Sequence, residues 1–224
     1  MPATETPVSP YEIFPDPEVA AIAEALVEDD PDKVRALARN ADLAAHGDRR
    51  VTLLQWALLN RSLAGVQALL DAGADPQQPG MDGDTAVHFA CMLEDPRFLQ
   101  AMLAKGADPN VANADTGAVP LRAALMAERE AQFQLLLAAA DLDRADRMGN
   151  TPLHVAGQIN EPQRALDLLN AGADPARRNA QGVTFQRYLF TTRPDLLDAD
   201  TSSAWEAVLD WLHAHGIPLD TSHA

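Results

Sequence analysis

The chain has 224 residues, a formal net charge of −16 and a sequence pI of about 4.5. This acidity argues against nucleic acid and against an anionic membrane surface as partners, and it permits a basic protein partner. The single cysteine, Cys91, excludes an internal disulfide bond, and no apolar run reaches the length of a membrane span.

The first 39 residues read as a flexible tail followed by a helix pair. Residues 1–10 are rich in Pro and Thr, which predicts a flexible tail. Asp followed by Pro opens a helix at Asp16 and a second helix at Asp30. We interpret residues 11–39 as an N-terminal capping helix pair. Three apolar side chains just before the first of these helices are expected to dock on it: Tyr11, Ile13 and Phe14.

A turn motif then recurs every 33 residues. Gly-Ala-Asp stands at Gly73, Gly106 and Gly172, while Ala139 and Asn40 begin degenerate copies in the same register. A pair of apolar residues precedes the three full copies and the degenerate copy at Ala139: Leu69/Leu70, Met102/Leu103, Leu135/Leu136 and Leu168/Leu169. The period places Leu103 and Leu136 in equivalent buried positions. Each copy is a helix-turn-helix unit with too little surface to bury a core alone, so the copies must stack.

The helix entries follow the same period. Thr opens the first helix of each copy at Thr52, Thr85, Thr151 and Thr184, and one copy departs from this pattern. There Val119 fills the slot one residue late, after an extra residue in the loop Asn110–Gly117. The period of 33, the Gly-Ala-Asp turns and the Thr-Pro-Leu-His run at Thr151–His154 resemble ankyrin repeats. The resemblance implies an all-α solenoid of stacked helix pairs over residues 40–192, with β-hairpin-like loops and helical caps at both ends.

The period breaks after Thr184. A polar insert at Arg193–Ser202 is followed by a predicted helix from about residue 203 to residue 215, with one apolar face. That face comprises Trp205, Val208, Leu209 and Leu212. We interpret residues 193–224 as a C-terminal capping region.

The sequence predicts no catalytic residue, no metal site and no cofactor, and we interpret the chain as a protein that is not an enzyme. His88 and His154 occupy the histidine slot of the repeat, where an imidazole ties adjacent units together. Cys91 follows a small residue of the repeat core, which favours packing over reactivity. His213 and His215 are two residues apart on a helix and do not share a face.

The residues just past the small pair of each first helix are the candidate binding residues. The eight positions are Leu59, Asn60, Met92, Leu93, Met126, Ala127, Gln158 and Ile159. An ordinary solvated face would carry Lys, Glu, Asn and Ser here, whereas five of the eight are Leu, Met or Ile. One alternative is that some of them point into the core between units. The other is an apolar binding stripe on a concave surface with a polar rim of loop tips. The stripe comprises Leu59, Asn60, Met92, Leu93, Met126 and Ile159, and the rim comprises Asp48, Arg49, Met81, Asp82, Asp115, Arg147, Met148 and Gln181.

Several short runs resemble a narrower bacterial group, the ankyrin-repeat proteins encoded beside type VI secretion phospholipase and other toxin genes. The runs are Ile13–Pro17, Leu54–Leu58, the loop Gly106–Gly117, and Trp205 with Trp211. Some members of that group are immunity proteins. The resemblance implies that the chain clamps a secreted lipase toxin and covers its active-site entrance, which is a steric mechanism.

Two alternatives stay open at this stage. The chain could be a cytosolic ankyrin adaptor with another protein client, or an enzyme whose site the motifs do not reveal. The resemblance implies export, so we expect a periplasmic location with an export segment that is not in this sequence, the alternative being cytoplasmic. No insertion into a membrane by this chain is expected.

Overall fold

The structure is a computed structural model that describes residues 9–192 and 197–220. The chain divides into two compact units, an N-terminal unit of residues 1–115 and a C-terminal unit of residues 116–224. The described residues form α-helices and short 3-10 turns, and they contain no β-strand. The predicted all-α class is therefore confirmed.

The N-terminal unit consists of a short leading helix and three antiparallel helix pairs. Its helices are α1 Pro10–Ile13, α2 Pro17–Val27, α3 Pro31–Leu37, α4 Leu53–Leu59, α5 Leu63–Asp71, α6 Ala86–Met92 and α7 Arg97–Ala104. The first helices α2, α4 and α6 pack side by side, and so do the second helices α3, α5 and α7. The core lies between these two rows and includes Ile22, Leu58, Leu69 and Leu99.

The C-terminal unit contains two full helix pairs and a terminal pair. Its helices are α8 Pro120–Met126, α9 Glu130–Leu137, α10 Pro152–Gln158, α11 Pro162–Asn170, α12 Gln186–Leu189 and α13 Ala199–Ala214. Helix α10 packs against α8, α11 and α12, and α11 packs against α13. Leu121, Phe133, Leu136 and Phe185 are among its fully buried side chains.

The first helices α4, α6 and α10 begin where a Thr satisfies free N–H groups of the first turn. At α4, the Gln55 N–H donates to Thr52 Oγ1 and the Thr52 N–H donates to Gln55 Oε1, both at 3.2 Å. At α10, His154 replaces the glutamine, and its Nδ1 accepts from the Thr151 N–H at 3.2 Å. This reciprocal cap explains why Thr recurs with the period of the repeat.

A one-residue shift against the 33-residue period runs through α8 and α9. The Ala140 N–H donates to Leu136 O at 2.8 Å across four residues, whereas the Ala107 N–H donates to Met102 O at 3.1 Å across five. The extra residue of the Asn110–Gly117 loop is thus removed again at the turn after α9. Leu136 is therefore the counterpart of Met102. The predicted equivalence of Leu103 and Leu136 is wrong, since Leu103 is only half-buried.

The loops between helix pairs close as tight turns rather than as strands. The Gly80 N–H donates to Asp84 O at 2.8 Å, and the Asn179 N–H donates to Val183 O at 3.0 Å. Neighbouring loops within the C-terminal unit are joined by backbone bonds such as Ala180 N–H to Met148 O at 2.8 Å. These contacts are hairpin-like, and they are too few to form a sheet.

The N-terminal segment differs in part from its predicted arrangement. Most of the predicted flexible tail, residues 1–8, lies outside the described residues, and α1 already begins at Pro10. Phe14 is 2% exposed and docks on the helices as predicted. The prediction was wrong for Tyr11, which is 50% exposed, because α1 turns this side chain outward.

The C-terminal end of the chain folds back along the last turn. Gln186 Nε2 donates to Pro218 O at 3.3 Å, and Gln186 Oε1 accepts from the Asp220 N–H at 3.0 Å. Gln55 holds the next loop of the N-terminal unit in the same way, through Asp84 O at 2.9 Å and the Met81 N–H at 3.1 Å. Residues 217–220 thus take the place of a further loop.

Helix α13 begins earlier than predicted, at Ala199 instead of about residue 203. Asp198 caps it by accepting from the Thr201 N–H at 2.9 Å. Residues 193–196 of the predicted polar insert lie outside the described residues. The predicted apolar face is present, and Val208 and Leu212 are fully buried.

Candidate functional site

Three of the predicted stripe residues are exposed apolar side chains at equivalent places. Leu59, Met92 and Met126 are the last residues of α4, α6 and α8, and their side chains are 53%, 37% and 54% exposed. Single exposed apolar residues are ordinary, but recurrence at the same place in successive repeats is a pattern. Their exposure is what a binding role requires, and that role stays a prediction.

The other predicted stripe residues lie at the C-terminal caps of α4, α6 and α10. Leu93 and Ile159 follow α6 and α10 directly and are half-buried. Asn60 follows α4 and is exposed, and its amide donates to Trp56 O at 2.8 Å. These three residues therefore shape the turns beside the stripe and offer less apolar surface to a partner.

The structure adds apolar side chains that the 33-residue register does not reveal. Val27 ends α2 and is 52% exposed, so it corresponds to Leu59 at an offset of 32 residues. Trp56 and Phe89 are partly exposed and lie three residues before Leu59 and Met92. Positions three apart share a helical face. We call Val27, Trp56, Leu59, Phe89 and Met92 the N-terminal apolar patch.

Trp56 is held in one orientation before any partner arrives. Its Nε1–H donates to Ala23 O at 3.0 Å, and its ring meets the buried Phe14 ring edge to face, with centroids 5.9 Å apart. An aromatic side chain that is fixed in this way loses little conformational entropy on binding. The patch therefore has a preorganised aromatic anchor, the kind of residue that carries much of the energy in protein interfaces.

The turns that follow the patch carry an excess of negative charge. Glu28, Asp29 and Asp30 follow Val27, whereas Glu94 and Asp95 stand two and three residues after Met92. Asp29 Oδ1 accepts from Ser62 Oγ at 2.6 Å, which fixes the first of these turns to α5. The hydrogen bond from the Arg97 guanidinium lowers the pKa of Asp95, so this carboxylate stays ionised.

The turn between α6 and α7 differs from the other helix–helix turns. The other four contain a residue in the left-handed region, with φ between 53° and 56°: Asp29, Arg61, Glu128 and Asn160. Leu93 is instead extended, with φ −74° and ψ 156°. A cleft of about 200 Å³ lies here, lined by Arg61, Leu93, Glu94, Asp95 and Phe98.

The predicted rim of the N-terminal unit lies at the far end of the same helices. Asp48, Arg49, Asp82 and Asp115 are exposed and Met81 is half-buried, and the loops that carry Arg49 and Asp82 lead directly into the N-caps of α4 and α6. A helix of seven residues separates such a loop from the stripe by about 10 Å. The loop tips thus lie at the opposite ends of these helices from the apolar patch, and their role as a polar rim stays a prediction.

The C-terminal unit carries fewer exposed apolar residues. Met126 ends α8, but the corresponding last residue of α10 is the polar Gln158. In the loops, Met148 is 58% exposed and Arg147 and Gln181 are exposed. Apolar surface on the helix ends is therefore richer in the N-terminal unit.

The family model described as ankyrin repeats (3 copies) matches two overlapping stretches of the chain, residues 18–113 and 87–179. The chain belongs to the ankyrin-repeat family. It is 47% identical to Protein PhlB of Serratia liquefaciens over 174 residues, which cover 77% of this chain and 75% of that protein. It is 31% identical to the human mitochondrial disaggregase over 181 residues, or 78% of this chain, and spans only 25% of that protein.

Two solved ankyrin structures share the fold. The ankyrin repeat domain of Bcl-3 aligns with a TM-score of 0.68 at 28% identity, over 75% of this chain and 78% of that chain. The ankyrin repeat protein EF0377 aligns with a TM-score of 0.71 at 23% identity, over 86% of this chain and 97% of that chain. At this identity the second likeness concerns the fold alone.

In these ankyrin repeats His154 and Cys91 serve the scaffold. His154 Nδ1 accepts from Thr151, so Nε2 carries the proton and donates to Val183 O of the next loop at 3.1 Å. Burial lowers the pKa of His154, which keeps the ring neutral. Cys91 is fully buried, and desolvation raises the pKa of its thiol far above the ordinary value. Both residues match their predicted structural roles.

Ankyrin repeats are typically protein-interaction modules without catalytic activity. Among residues 9–192 and 197–220, no three His, Cys, Asp or Glu side chains form a group that could hold a metal ion. No helix in the described ranges is both long and apolar enough to cross a membrane. The chain is accordingly a protein-binding module of the ankyrin type.

Proposed function

We propose that the chain neutralises a lipase toxin of the type VI secretion class by binding it and covering its active-site entrance. The N-terminal apolar patch carries the proposal, since it combines a fixed Trp with exposed aliphatic side chains on rigid helices. Met126 and the loop tips Arg147, Met148 and Gln181 stay predicted contacts of the C-terminal unit. No chemistry by the inhibitor is required, because an occluded entrance excludes the lipid substrate.

Two of the sequence runs that resemble the immunity group meet in the structure, and their position supports the proposal. Phe14 belongs to the first of these runs and Trp56 to the second, and the two rings meet beneath the patch. Two of the four runs therefore contribute residues at or beneath the surface that we assign to the partner, whereas the loop Gly106–Gly117 and Trp205 with Trp211 contribute none. The acidic chain would also approach a basic toxin surface faster than a neutral chain would.

The proposal is tested first by whether a lipase gene lies beside this gene, and then with the lipase that such a gene encodes. Purified lipase is titrated with the wild-type chain while phospholipid hydrolysis is followed, and stoichiometric inhibition is expected. Leu59→Asp and Met92→Asp should each weaken binding by on the order of 2 kcal/mol, because central anchors dominate interface energies. Melting temperatures should barely change, since both side chains are exposed.

Gln100→Asp is the matched control, because it places the same charge on an exposed position of the second helix α7. It should inhibit as well as wild type does. Normal inhibition by both patch variants would exclude the patch as the contact site. A wild-type chain that neither binds nor inhibits the lipase would favour the adaptor alternative, with a different protein client.

A further inference from the structure

The exposed ends of the first helices in the N-terminal unit form a regular row. Val27, Leu59 and Met92 are the last residues of α2, α4 and α6, and these helices pack side by side in that order. Axes of packed helices are about 8–10 Å apart. The row therefore presents one apolar side chain about every 8–10 Å, across the direction of the helices.

This spacing matches a helical ligand. Seven residues of an α-helix rise about 10.5 Å, and positions i, i+7 and i+14 lie on one face. A helix that crosses the ends of α2, α4 and α6 can therefore set one apolar residue beside each member of the row. Trp56 and Phe89 lie one helical turn back from Leu59 and Met92, where they can contact neighbouring apolar residues of the same face.

The charge beside the row is predominantly negative. The turns after the row contain five carboxylates, Glu28, Asp29, Asp30, Glu94 and Asp95, and one cation, Arg61. Lys33 forms an ion pair with Glu28 at 2.8 Å and Arg97 forms one with Asp95 at 2.6 Å, so the excess negative charge lies at Asp29, Asp30 and Glu94. Residues 1–115 as a whole hold 19 Asp and Glu against 8 Lys and Arg, a difference of −11. Glu94 is exposed and forms no ion pair among the described residues. A ligand with cationic side chains beside its apolar face would complement this edge.

The cleft at the α6–α7 turn can receive such a cation. Phe98 and Leu93 line this cleft of about 200 Å³ with apolar surface, and Glu94 supplies a carboxylate that forms no ion pair among the described residues. Arg61 and Asp95, which is paired with Arg97, complete the lining. Lys and Arg side chains bury an aliphatic stem and keep the charged head at a polar edge. The cleft thus suits a basic residue that neighbours an apolar contact at Met92.

We propose that the N-terminal apolar patch binds a basic amphipathic α-helix of a partner protein, laid across the ends of α2, α4 and α6. The inference rests on the proposed function and specifies the element that the chain would grip on its target. A strand ligand would need an exposed sheet edge, and the described residues contain no strand. An anionic membrane would be repelled by the same carboxylates.

The test uses a displayed library of 18-residue peptides selected on the full chain. Leucine is fixed at positions 3, 10 and 17, and the other positions vary among Lys, Arg, Glu, Gln and Ala. The expected result is enrichment of peptides with net positive charge that become helical on binding. A second library with leucine at positions 3, 8 and 13, which lie on different faces, should yield no binders.

Variants of the chain localise the binding. Leu59→Asp and Met92→Asp should weaken an enriched peptide at least 10-fold, and Glu94→Gln should reduce the salt dependence of its affinity. Gln100→Asp on the second helix α7 is the control and should leave peptide affinity unchanged. Enrichment of neutral or acidic peptides, of neither library, or of peptides that ignore both patch substitutions would overturn the inference.

The outcome is separable from that of the proposed function. If lipase inhibition is lost in Leu59→Asp but no basic helix is enriched, the inhibitor role stands and the helical ligand is wrong. If basic helices bind the patch but the lipase is not inhibited, the surface assignment stands and the toxin partner is wrong. Binding of phosphatidylglycerol vesicles that is lost in Leu59→Asp would point to a membrane ligand and contradict the proposal.

Discussion

Leu136 and Leu135 give a direct test of the register in the C-terminal unit. The 33-residue period pairs Leu135 with Met102, whereas the hydrogen bond from the Ala140 N–H to Leu136 O identifies Leu136 as its counterpart. Leu136 is 0% exposed and Leu135 is half-buried. The two Leu→Ala substitutions are chemically identical and adjacent on α9, so their difference reports burial.

The expected magnitudes follow from that burial. Leu→Ala removes three carbon groups at about 0.8 kcal/mol each, or about 2.4 kcal/mol for a fully buried side chain. The cavity that remains brings the expected loss for Leu136→Ala to about 3–5 kcal/mol. A half-buried side chain loses about half of the transfer free energy and leaves no closed cavity, so Leu135→Ala should cost about 1 kcal/mol.

The assay is urea unfolding followed by tryptophan fluorescence. Trp205 and Trp211 report on the C-terminal unit once Trp56→Phe removes the indole of the N-terminal unit. Hydrogen exchange on Leu136→Ala should show faster opening of α8 to α11, because solenoid contacts are between neighbours. An equal or larger loss for Leu135→Ala would refute the shifted register, and uniform opening of every helix would refute nearest-neighbour coupling.

Three further predictions concern the scaffold. Burial lowers the pKa of His154 in the folded chain, so the unfolded chain binds more protons once the pH is below the ordinary value of about 6.5. The free energy of unfolding should therefore fall as the pH drops below that value. His154→Gln, which copies the cap residue Gln55, should show a flatter pH dependence in urea unfolding between pH 7.5 and 5. Cys91 should react with a thiol reagent only as fast as the core opens, and rapid labelling of the native chain would contradict its burial. Gly149→Ala should lower the melting temperature more than Gly172→Ala, since both have positive φ but only the Gly149 Cβ would meet Ala180 N, at 2.9 Å.

The sequence predicts the helix pairs well because each pair carries its own local signals for where its helices begin and end. Thr52 and Thr151 begin first helices through local caps, and Gly73 and Gly172 end second helices with φ of 96° and 99°. Local signals of this kind are set by residues within one turn of the chain. They therefore remain legible without any knowledge of the tertiary structure.

The sequence is a weaker guide where the period is interrupted or where a helix begins in a polar run. A fixed period locates the extra residue before Val119, but it cannot show that the turn after α9 removes it again, because Ala139 replaces the usual glycine there. The start of α13 was missed for a related reason. The polar run around Asp198 is typical of a loop, and its capping bond to the Thr201 N–H is what makes it a helix start.

The candidate site likewise contains residues that the sequence predicts and residues that it misses. Leu59, Met92 and Met126 could be picked from the sequence because their register is that of the repeat. Val27 was missed because the first pair lacks the repeat motifs and is offset by 32 residues, and Trp56 was missed because a mid-helix Trp reads as core. A search for apolar residues at the last position of every first helix would have found Val27.

The hydrogen bonds between Gln186 and residues 217–220 determine where a further helix pair could be added to the array of repeats. A helix pair duplicated ahead of α12 would present its own loop to the next pair and leave the Gln186 bonds to Pro218 and Asp220 undisturbed. A pair added after Leu189 would have to evict the C-terminal segment before its loop could dock. Gain or loss of repeats by unequal recombination should therefore be tolerated in the interior of such a gene, while the segment that encodes α12 to residue 220 is retained as one unit.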